Sequence, residues 1–445
     1  MAIDIGAIRT GAAAYQSEAV ELLRELVRTP SMSGREEAVI ALLRTRMLAA
    51  GFDEVRVDPF GNLWGRIGTG SRVLAFDAHV DTVDVGDRSL WQVDPFGAEL
   101  IDGVVYGRGA SDQKAGMASM VYAGRLLKEL SFEGDLTLWF IGSVLEEDCD
   151  GLCWHYILNE GLMRPDLVVL TEPTGLEVYR GHRGRMELEI TLKGLSCHGS
   201  APERGINAIS RMAPVIGAID DLPARLAGDA FLGAGSVTIS EIRSSAPSLC
   251  AVADECTIHL DRRLTAGETD EGAMAELRAI LDRVAPVPAS AGREVAVRIA
   301  PDVISVPVFE RPSHTGLTYP MRQYFPAWVL PADDPRLALA LRARELSRGA
   351  TSKGDRQRAA ASTGSSHDGA RPSGASEAGK WTFSTNGVAT MGIHGVPTLG
   401  FGPAEEVHAH APTDQCPVDH VGEAIAFYAA LALLAAEEPD LLAER

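Results

Sequence analysis

The chain has 445 residues, which exceeds the usual size of one hydrophobic core and predicts more than one domain. Its 46% hydrophobic and 23% charged content is that of a globular protein, and its net charge of −20 argues against nucleic-acid partners, because phosphate contacts need clustered basic residues. We also expect no membrane partner and a cytoplasmic location, since we find no run of about 18 apolar residues and no signal peptide.

The first 180 residues alternate predicted helices and strands. SEAVELLRELV has the apolar spacing of an amphipathic helix and ends before Thr29–Pro30. Ser33 and Glu36 have the spacing of a capping box, which predicts that a second helix begins there. FDEVRVDPFGNLWGRIG predicts a β-hairpin, and the alternation of strand and helix continues to Thr174. This part of the chain therefore predicts an α/β domain.

The pattern changes near Gly181 to long strands and two helices, predicted at 205–221 and 268–284, with a further strand in REVAVRI. Two helices on one antiparallel sheet predict a smaller α+β domain. TGLTYPMRQYFPAWVLP is the predicted return to the first domain, and residues 349–380 predict a mobile surface insertion rich in Gly, Ser, Ala and charge. The predicted domains are the α/β domain in two parts, 1–180 and 327–445, and the inserted domain, 181–326.

Residues that can bind or serve metal ions lie in order along the chain, each in its own local signature. They are His79 in AHVDT, Asp112 in SDQKAG, Glu146 and Glu147 in LEEDCDG, Glu172 in TEPT and His410 in VHAHAPTD. Apolar strands run into three of these signatures, and open α/β sheets bind ligands at the carboxyl ends of their strands. Two His and three carboxylates suit a pair of divalent ions, zinc first and cobalt or manganese as alternatives. Glu146 is the carboxylate left over, which can act as a base.

Each of these signatures, taken alone, can also be explained by a structural role that involves no metal. Asp112 could cap the helix that follows it, and paired glutamates are common on solvated helix faces. The three strands that each deliver an acid or a His at the carboxyl end favour the metal site. On a strand, Asp81 shares a face with His79, so we expect its carboxylate to accept a hydrogen bond from the far ring nitrogen.

These motifs, in this order and spacing, resemble the di-zinc peptidase and deacylase family, which includes acetylornithine deacetylase, succinyl-diaminopimelate desuccinylase, aminoacylases and glutamate carboxypeptidases. The resemblance implies a mixed-sheet catalytic domain of the metallopeptidase type, interrupted by a smaller α+β lid domain that also forms a homodimer. It implies two zinc sites: His79, Asp112 and Glu172 for one ion, and Asp112, Glu147 and His410 for the other. It also implies that Asp112 bridges the ions, Glu146 is the general base and Asp81 is the partner of His79.

Two details near the last signature differ from a simple match. His408 lies two residues before His410, so either could be the ligand, and the family's AHxP pattern favours His410. The glutamate often found four residues after the last His is Asp414 here.

The strings EEDCDGLCW and WTFSTNGVATMG are most similar to a branch described as selenium-metabolism-linked hydrolases. The substrate does not follow from that resemblance.

Three residues of the predicted lid are further candidates. His198 in SCHGSAP resembles the family's lid histidine, which enters the partner subunit's site and stabilises an oxyanion. Asn207 and Arg263 match positions that bind a substrate carboxylate, for which the fork of an arginine is suited. Asn207 could instead cap the helix that follows, and Arg262 or Arg263 could form surface pairs.

The sequence therefore predicts a hydrolase that cleaves the amide C–N bond of a small N-acyl amino acid or dipeptide-like molecule, with Glu146 moving the proton. One alternative is an amidohydrolase that releases ammonia or another amine from a non-peptide substrate. A second alternative is a metal-stabilised binding protein without catalysis, against which the intact Glu146 argues.

Overall fold

The structure is a computed structural model that describes residues 4–286, 300–348 and 378–443. Its α-helices are α1 (Ile5–Val27), α2 (Glu37–Ala49), α3 (Ala115–Glu129), α4 (Leu152–Asn159), α5 (Ala208–Asp220), α6 (Asp270–Val284), α7 (Pro335–Ser347), α8 (Val418–Glu437) and α9 (Asp440–Ala443). Its β-strands are β1 (Glu54–Val57), β2 (Leu63–Ile67), β3 (Arg72–His79), β4 (Glu99–Ile101), β5 (Val104–Tyr106), β6 (Leu136–Ser143), β7 (Leu167–Leu170), β8 (Tyr179–His182), β9 (Gly184–Lys193), β10 (Gly228–Asp229), β11 (Gly233–Ala234), β12 (Ser236–Ser245), β13 (Glu255–Leu264), β14 (Val303–Ser305), β15 (Val308–Phe309), β16 (Met321–Arg322), β17 (Tyr324–Phe325), β18 (Trp328–Val329), β19 (Gly379–Trp381), β20 (Thr398–Gly400) and β21 (Gln415–Pro417). The predicted strand REVAVRI and residues 349–377 of the predicted insertion lie outside the described residues.

The larger sheet has the strand order β1-β2-β6-β3-β7-β20-β8-β18, with β19 paired to β8. Strands β6, β3, β7 and β20 run parallel in its middle. The predicted hairpin is present as β1 and β2, and both β2 and β8 join the parallel strands in antiparallel fashion. The middle strands are buried on both faces, which explains apolar runs such as LVVL in β7. The predicted mixed sheet is confirmed.

Helices α1, α3, α7 and α8 pack against one another, and α3 and α8 also contact the central strands of this sheet. Helices and sheet share one large hydrophobic cluster. Helix α8, overlooked from the sequence, could by length and composition alone cross a membrane, although 67% of its most apolar stretch is buried inside the protein. Its Phe427 ring stacks on Phe401 at a centroid distance of 3.6 Å.

A second sheet has the order β12-β13-β9-β14, with β17 paired to β9, and every pairing in it is antiparallel. Buried and partly buried residues alternate along the whole of β9, because the helices α5 and α6 cover only one face of the sheet. These are the two helices predicted at 205–221 and 268–284. The smaller α+β layer is therefore present and has a hydrophobic core of its own.

The chain passes between the two sheets at two neighbouring places. On the way out, β8 ends at His182 in the larger sheet and β9 begins at Gly184 in the second. On the return, β17 still pairs with β9, whereas β18 pairs with β8. These crossings support the predicted domain boundaries near residues 181 and 327, which we retain as a proposal.

The predicted capping box at the start of α2 is wrong. Glu36 occupies the N-cap position, but its side chain makes no cap hydrogen bond. The Ser33 hydroxyl donates to Asp81 Oδ2 at 2.7 Å, and Glu36 Oε1 accepts from Gly34 N at 2.9 Å and from Leu145 N at 3.1 Å. Ser33 and Glu36 therefore each bind a distant segment of the chain, and neither side chain caps the helix.

Candidate metal centre

Three of the predicted ligand signatures follow the carboxyl ends of neighbouring parallel strands. His79 is the last residue of β3, the Glu146–Glu147 pair follows the end of β6, and Glu172 follows the end of β7. The register aligns His79 with Ser143, the last residue of β6, so these ends are level. The parallel sheet therefore brings the three signatures to one edge, where open α/β sheets bind ligands.

Two groups of side chains meet at this edge and share Asp112. In the first group, His79 Nε2 lies 2.9 Å from Asp112 Oδ1 and 3.8 Å from Glu172 Oε1. In the second, His410 Nε2 lies 2.7 Å from Glu147 Oε2 and 3.4 Å from Asp112 Oδ2. The ligand atoms within each group lie within 4.8 Å of one another. Asp112 thus presents one oxygen to each group, and its peptide bond to Gln113 is cis.

The charges of these groups fit divalent cations. Glu172 Oε2 and Glu146 Oε1 are buried and have no hydrogen-bond partner among the described residues. Although burial lowers the pKa of His79, the Asp112 hydrogen bond and the Glu172 charge raise it well above its usual value. Hydrogen bonds to Asp112 and Glu147 raise the pKa of His410 to about 10. A site that stabilises protonated imidazoles so strongly attracts positive charge, and His with carboxylates is a donor set that suits zinc.

Glu146 lies beside the two groups without belonging to either. The residue is 6% exposed. Burial raises the pKa of Glu146 well above its usual value, against the charge of His79, and the charges of Glu172 and Asp150 raise it further. Cations bound nearby would bring that pKa down again. A carboxyl group in this position has a free oxygen with which to exchange a proton.

The expected contact between the Asp81 carboxylate and His79 is wrong in detail. His79 Nδ1 is 2.9 Å from the main-chain oxygen of Asp81, whereas the nearer carboxylate oxygen is 3.6 Å away. Strand β3 ends at His79, so the alternation of a strand no longer directs the Asp81 side chain. Its carboxylate accepts instead from Glu146 N at 3.3 Å and Glu147 N at 3.1 Å. Asp81 therefore contacts both halves of the site.

The two histidines of the last signature are clearly separated. His410 has a positive φ of 58° and joins Asp112 and Glu147. The ring of His408 contacts Thr413 Oγ1 at 3.4 Å and Gln415 Nε2 at 2.8 Å, away from the carboxylates. The geometry therefore favours His410.

A cavity of about 290 Å³ opens beside the clusters, between the two sheets. Its walls include Arg263, the candidate contact for a substrate carboxylate, and residues that sequence reasoning missed: Asp150, Arg185, Phe383, Ser384 and Glu406. The Arg263 guanidinium is already paired with both oxygens of Asp261, at 2.8 and 2.9 Å. Ser384 lies in the WTFSTNG string, which the sequence analysis used only to place the chain in a branch of the family and not as a signal for the site.

The other lid candidates lie elsewhere. Asn207 caps α5, with Oδ1 accepting from Ile209 N and Ser210 N, so the structural alternative describes this side chain. Arg262 is buried and paired with Glu268 and Glu276. His198 is exposed on the surface of the second domain and does not line the cavity of its own chain.

The chain is similar to a family model, to two curated proteins and to a solved structure. Residues 180–288 match the family model of the peptidase dimerisation domain. The chain is 45% identical over 419 residues to the uncharacterised protein YgeY of Escherichia coli K12, covering 94% of each sequence. It is 36% identical over 212 residues to the succinyl-diaminopimelate desuccinylase of Cereibacter sphaeroides, across 44% of this chain and 55% of that enzyme. The solved structure of YXEP from Bacillus subtilis, a dinuclear metal binding peptidase from the M20 family, matches with a TM-score of 0.63 at 15% identity, covering 96% of this chain and 99% of that one.

The chain belongs to the M20 peptidase family. As an M20 family member it is a hydrolase of amide bonds, and its mixed α/β fold with an inserted dimerisation domain is that of the family's solved structures. The two groups of ligands that meet at Asp112 form a candidate metal-binding cluster of the kind that a dinuclear family member needs.

Proposed function

We propose that this M20 family member is a two-metal hydrolase that cleaves the amide bond of a small N-acyl amino acid or dipeptide-like substrate. The observation that carries the proposal is the position of Asp112, with one oxygen in each ligand group and Glu146 beside both. The proposed ligands are His79, Asp112 and Glu172 for one ion, and Asp112, Glu147 and His410 for the other. Zinc is the first choice for this donor set. Two such ions would lower the pKa of a water molecule and polarise the carbonyl oxygen of the amide.

Glu146 is the proposed general base. Glu146 lines the cavity and its buried Oε1 has no partner among the described residues, so its carboxylate can accept a proton from the attacking water. The same carboxyl group then donates the proton to the leaving nitrogen. Because burial favours the protonated form, the group can hold the proton between these two steps. A binding protein without catalysis would have no use for such a residue.

The lid residues complete the proposal. Ser200 donates to His198 Nδ1 from its backbone N–H at 3.1 Å, so the ring proton of the neutral imidazole is on Nε2, which can donate to an oxyanion. Since His198 lies outside the cavity of its own chain, we propose that it acts in the partner subunit of a homodimer formed through the dimerisation domain.

Arg263 is the proposed contact for a substrate carboxylate. The described geometry supports Asn207 only as a helix cap. The cytoplasmic location stays a prediction.

One observation favours the second candidate function, an amidohydrolase that releases ammonia or another amine. Asp261 already binds the Nε–Nη2 edge of the Arg263 guanidinium and balances its charge, so a substrate without a carboxylate requires no change at this group. We also propose that the chain belongs to the selenium-metabolism-linked branch, on the strings EEDCDGLCW and WTFSTNGVATMG. That placement does not decide between the two substrates.

The test is a panel of N-acyl amino acids, dipeptides and simple amides, assayed with added Zn²⁺ both for free amino acid and for ammonia. Glu146→Gln should keep its metal content and lose roughly 10²–10⁴-fold in kcat. Glu133→Gln, an exposed site outside the centre, should leave both unchanged. Full activity of the metal-loaded Glu146→Gln protein would contradict the proposal, and ammonia as the only amine product would favour the second candidate.

A further inference from the structure

The loop that carries Glu146 and Glu147 is held by side chains from three other parts of the chain. Each backbone N–H from Val144 to Glu147 donates to a carboxylate or an amide oxygen: Val144 to Asn62 Oδ1 at 3.2 Å, Leu145 to Glu36 Oε1 at 3.1 Å, Glu146 to Asp81 Oδ1 at 3.3 Å and Glu147 to Asp81 Oδ2 at 3.1 Å. Four consecutive amides with side-chain acceptors form a cradle that fixes the path of the loop.

Within this cradle, Glu36 binds the residue with the strained backbone, Leu145. Leu145 has a positive φ of 61°, a conformation that is strained for a residue with a side chain and persists only where the surroundings enforce it. Its N–H donates to Glu36, whose side chain is 0% exposed. The turn at Leu145 directs the two following glutamates, one into a ligand group and the other beside both.

The second oxygen of Glu36 connects the cradle to the return crossing of the chain. Glu36 Oε2 lies 3.4 Å from His314 Nδ1, and the His314 side chain is only 7% exposed. His314 lies directly over Gly61, where an added Cβ would come within 2.3 Å of the ring. The next residue, Thr315, donates to Pro59 O at 2.8 Å, which holds this segment on the turn between β1 and β2. The fold therefore places the two groups side by side at ion-pair distance, although neither atom has a hydrogen-bond partner among the described residues.

We propose that Glu36 is a positioning residue for the hydrolytic reaction, with His314 packed beside its second oxygen. The inference rests on the proposed function, because it assigns Glu36 the task of orienting the Glu146 and Glu147 side chains. Adjacent glutamates with different tasks need a backbone held to within about 0.5 Å, and a hydrogen bond to the turn residue between the strand and the pair supplies that constraint. The Ser33–Glu36 motif thus serves the site rather than the start of α2.

Three variants distinguish the effect of the length of the Glu36 side chain from the effect of its charge. Glu36→Asp keeps the charge, but its carboxylate is one methylene too short to hold Leu145 N. Glu36→Gln loses the charge and keeps an oxygen at the right distance. Glu37→Gln changes the exposed neighbour on the same helix and is the matched control. Each variant is stripped of metal and titrated with Zn²⁺ against a chelator, and kcat and KM are measured on the best substrate of the panel.

Glu36→Asp is expected to weaken one of two Zn²⁺ sites, the one that uses Glu147, by roughly 10–100-fold and to lower kcat while KM is kept. Glu36→Gln should stay within about threefold of wild type, since outer hydrogen bonds act through their geometry, and Glu37→Gln should match wild type. Wild-type Zn²⁺ affinity and kcat in Glu36→Asp would overturn the inference, as would loss in Glu36→Gln with retention in Glu36→Asp. A wild-type protein that binds no pair of Zn²⁺ ions would overturn the proposed function and the inference with it.

Discussion

Glu147 Oε2 lies 2.7 Å from His410 Nε2, although 263 residues separate the two along the chain. Glu147 follows a central strand of the larger sheet, whereas His410 comes from the segment between β20 and β21. The parallel pairing of β20 with β7 brings that segment to the same sheet edge. This pair therefore depends on the complete first domain, and it provides a direct test of the second half of the proposed centre.

His410→Ala should lower the bound metal from about two ions per chain to about one, because the second group would lose its only nitrogen ligand. His408→Ala is the matched control and should keep both ions, since the His408 ring contacts Thr413 and Gln415 instead. The measurement is metal content by mass spectrometry after dialysis. Equal losses in the two variants, or one ion in wild type, would contradict the bridging role of Asp112.

Mixed dimers should show whether His198 acts across the subunit interface. Glu146→Gln and His198→Ala chains are each expected to be nearly inactive as pure dimers. When the two chains are co-expressed with different tags, random pairing would restore about a quarter of the sites, because one site of each mixed dimer has both residues intact. Purified mixed dimers that are as inactive as their parents would rule out a contribution from the partner's lid.

His182 should make the stability of the protein depend on pH between about 6.5 and 4. Burial lowers the pKa of His182 to about 4, and its Nε2 accepts from Trp328 Nε1 at 2.7 Å and Thr385 N at 3.1 Å. The unfolded chain, with a His pKa of about 6.5, binds the proton more tightly, so stability falls as the pH falls through this window. The full difference corresponds to roughly 3 kcal/mol.

Denaturant unfolding of wild type and His182→Gln at a series of pH values tests this. Glutamine offers an oxygen acceptor at a similar reach and does not titrate. The stability difference between the two proteins should change by about 2 kcal/mol from pH 7 to pH 4.5, in favour of the variant at the lower pH. Parallel curves over that range would show that His182 is not buried as a neutral ring.

Asp414→Asn should destabilise the protein by about 3 kcal/mol, because the buried Arg108 would lose its counter-charge. Asp414 accepts from Arg108 Nη1 at 3.0 Å and from the backbone N–H groups of Gly109 and Ser111, both at 2.7 Å. The exposed Asp419→Asn is the control. Urea unfolding of metal-free protein isolates the effect on the fold from any loss of metal, and equal stability of the two variants would contradict it.

Much of the fold could be predicted because its signals are local. Apolar runs that end in an acid or a His identified the central strands, and the change to alternating strands near Gly181 marked the inserted layer. The capping box at Ser33 and Glu36 failed for an instructive reason. Its spacing was correct for a helix start, but the side chains found partners at Asp81 and Leu145, which lie 48 and 109 residues away.

Residue types and their local periodicity were enough to predict which metal-binding side chains are available, in what order, and on which kind of scaffold. How those side chains are arranged follows from tertiary packing. It turned the Asp81 carboxylate to the backbone of the Glu146 loop, paired Arg263 with Asp261 and placed Glu36 against His314. These contacts join segments far apart in sequence, so they depend on how whole elements pack and cannot be obtained from spacing.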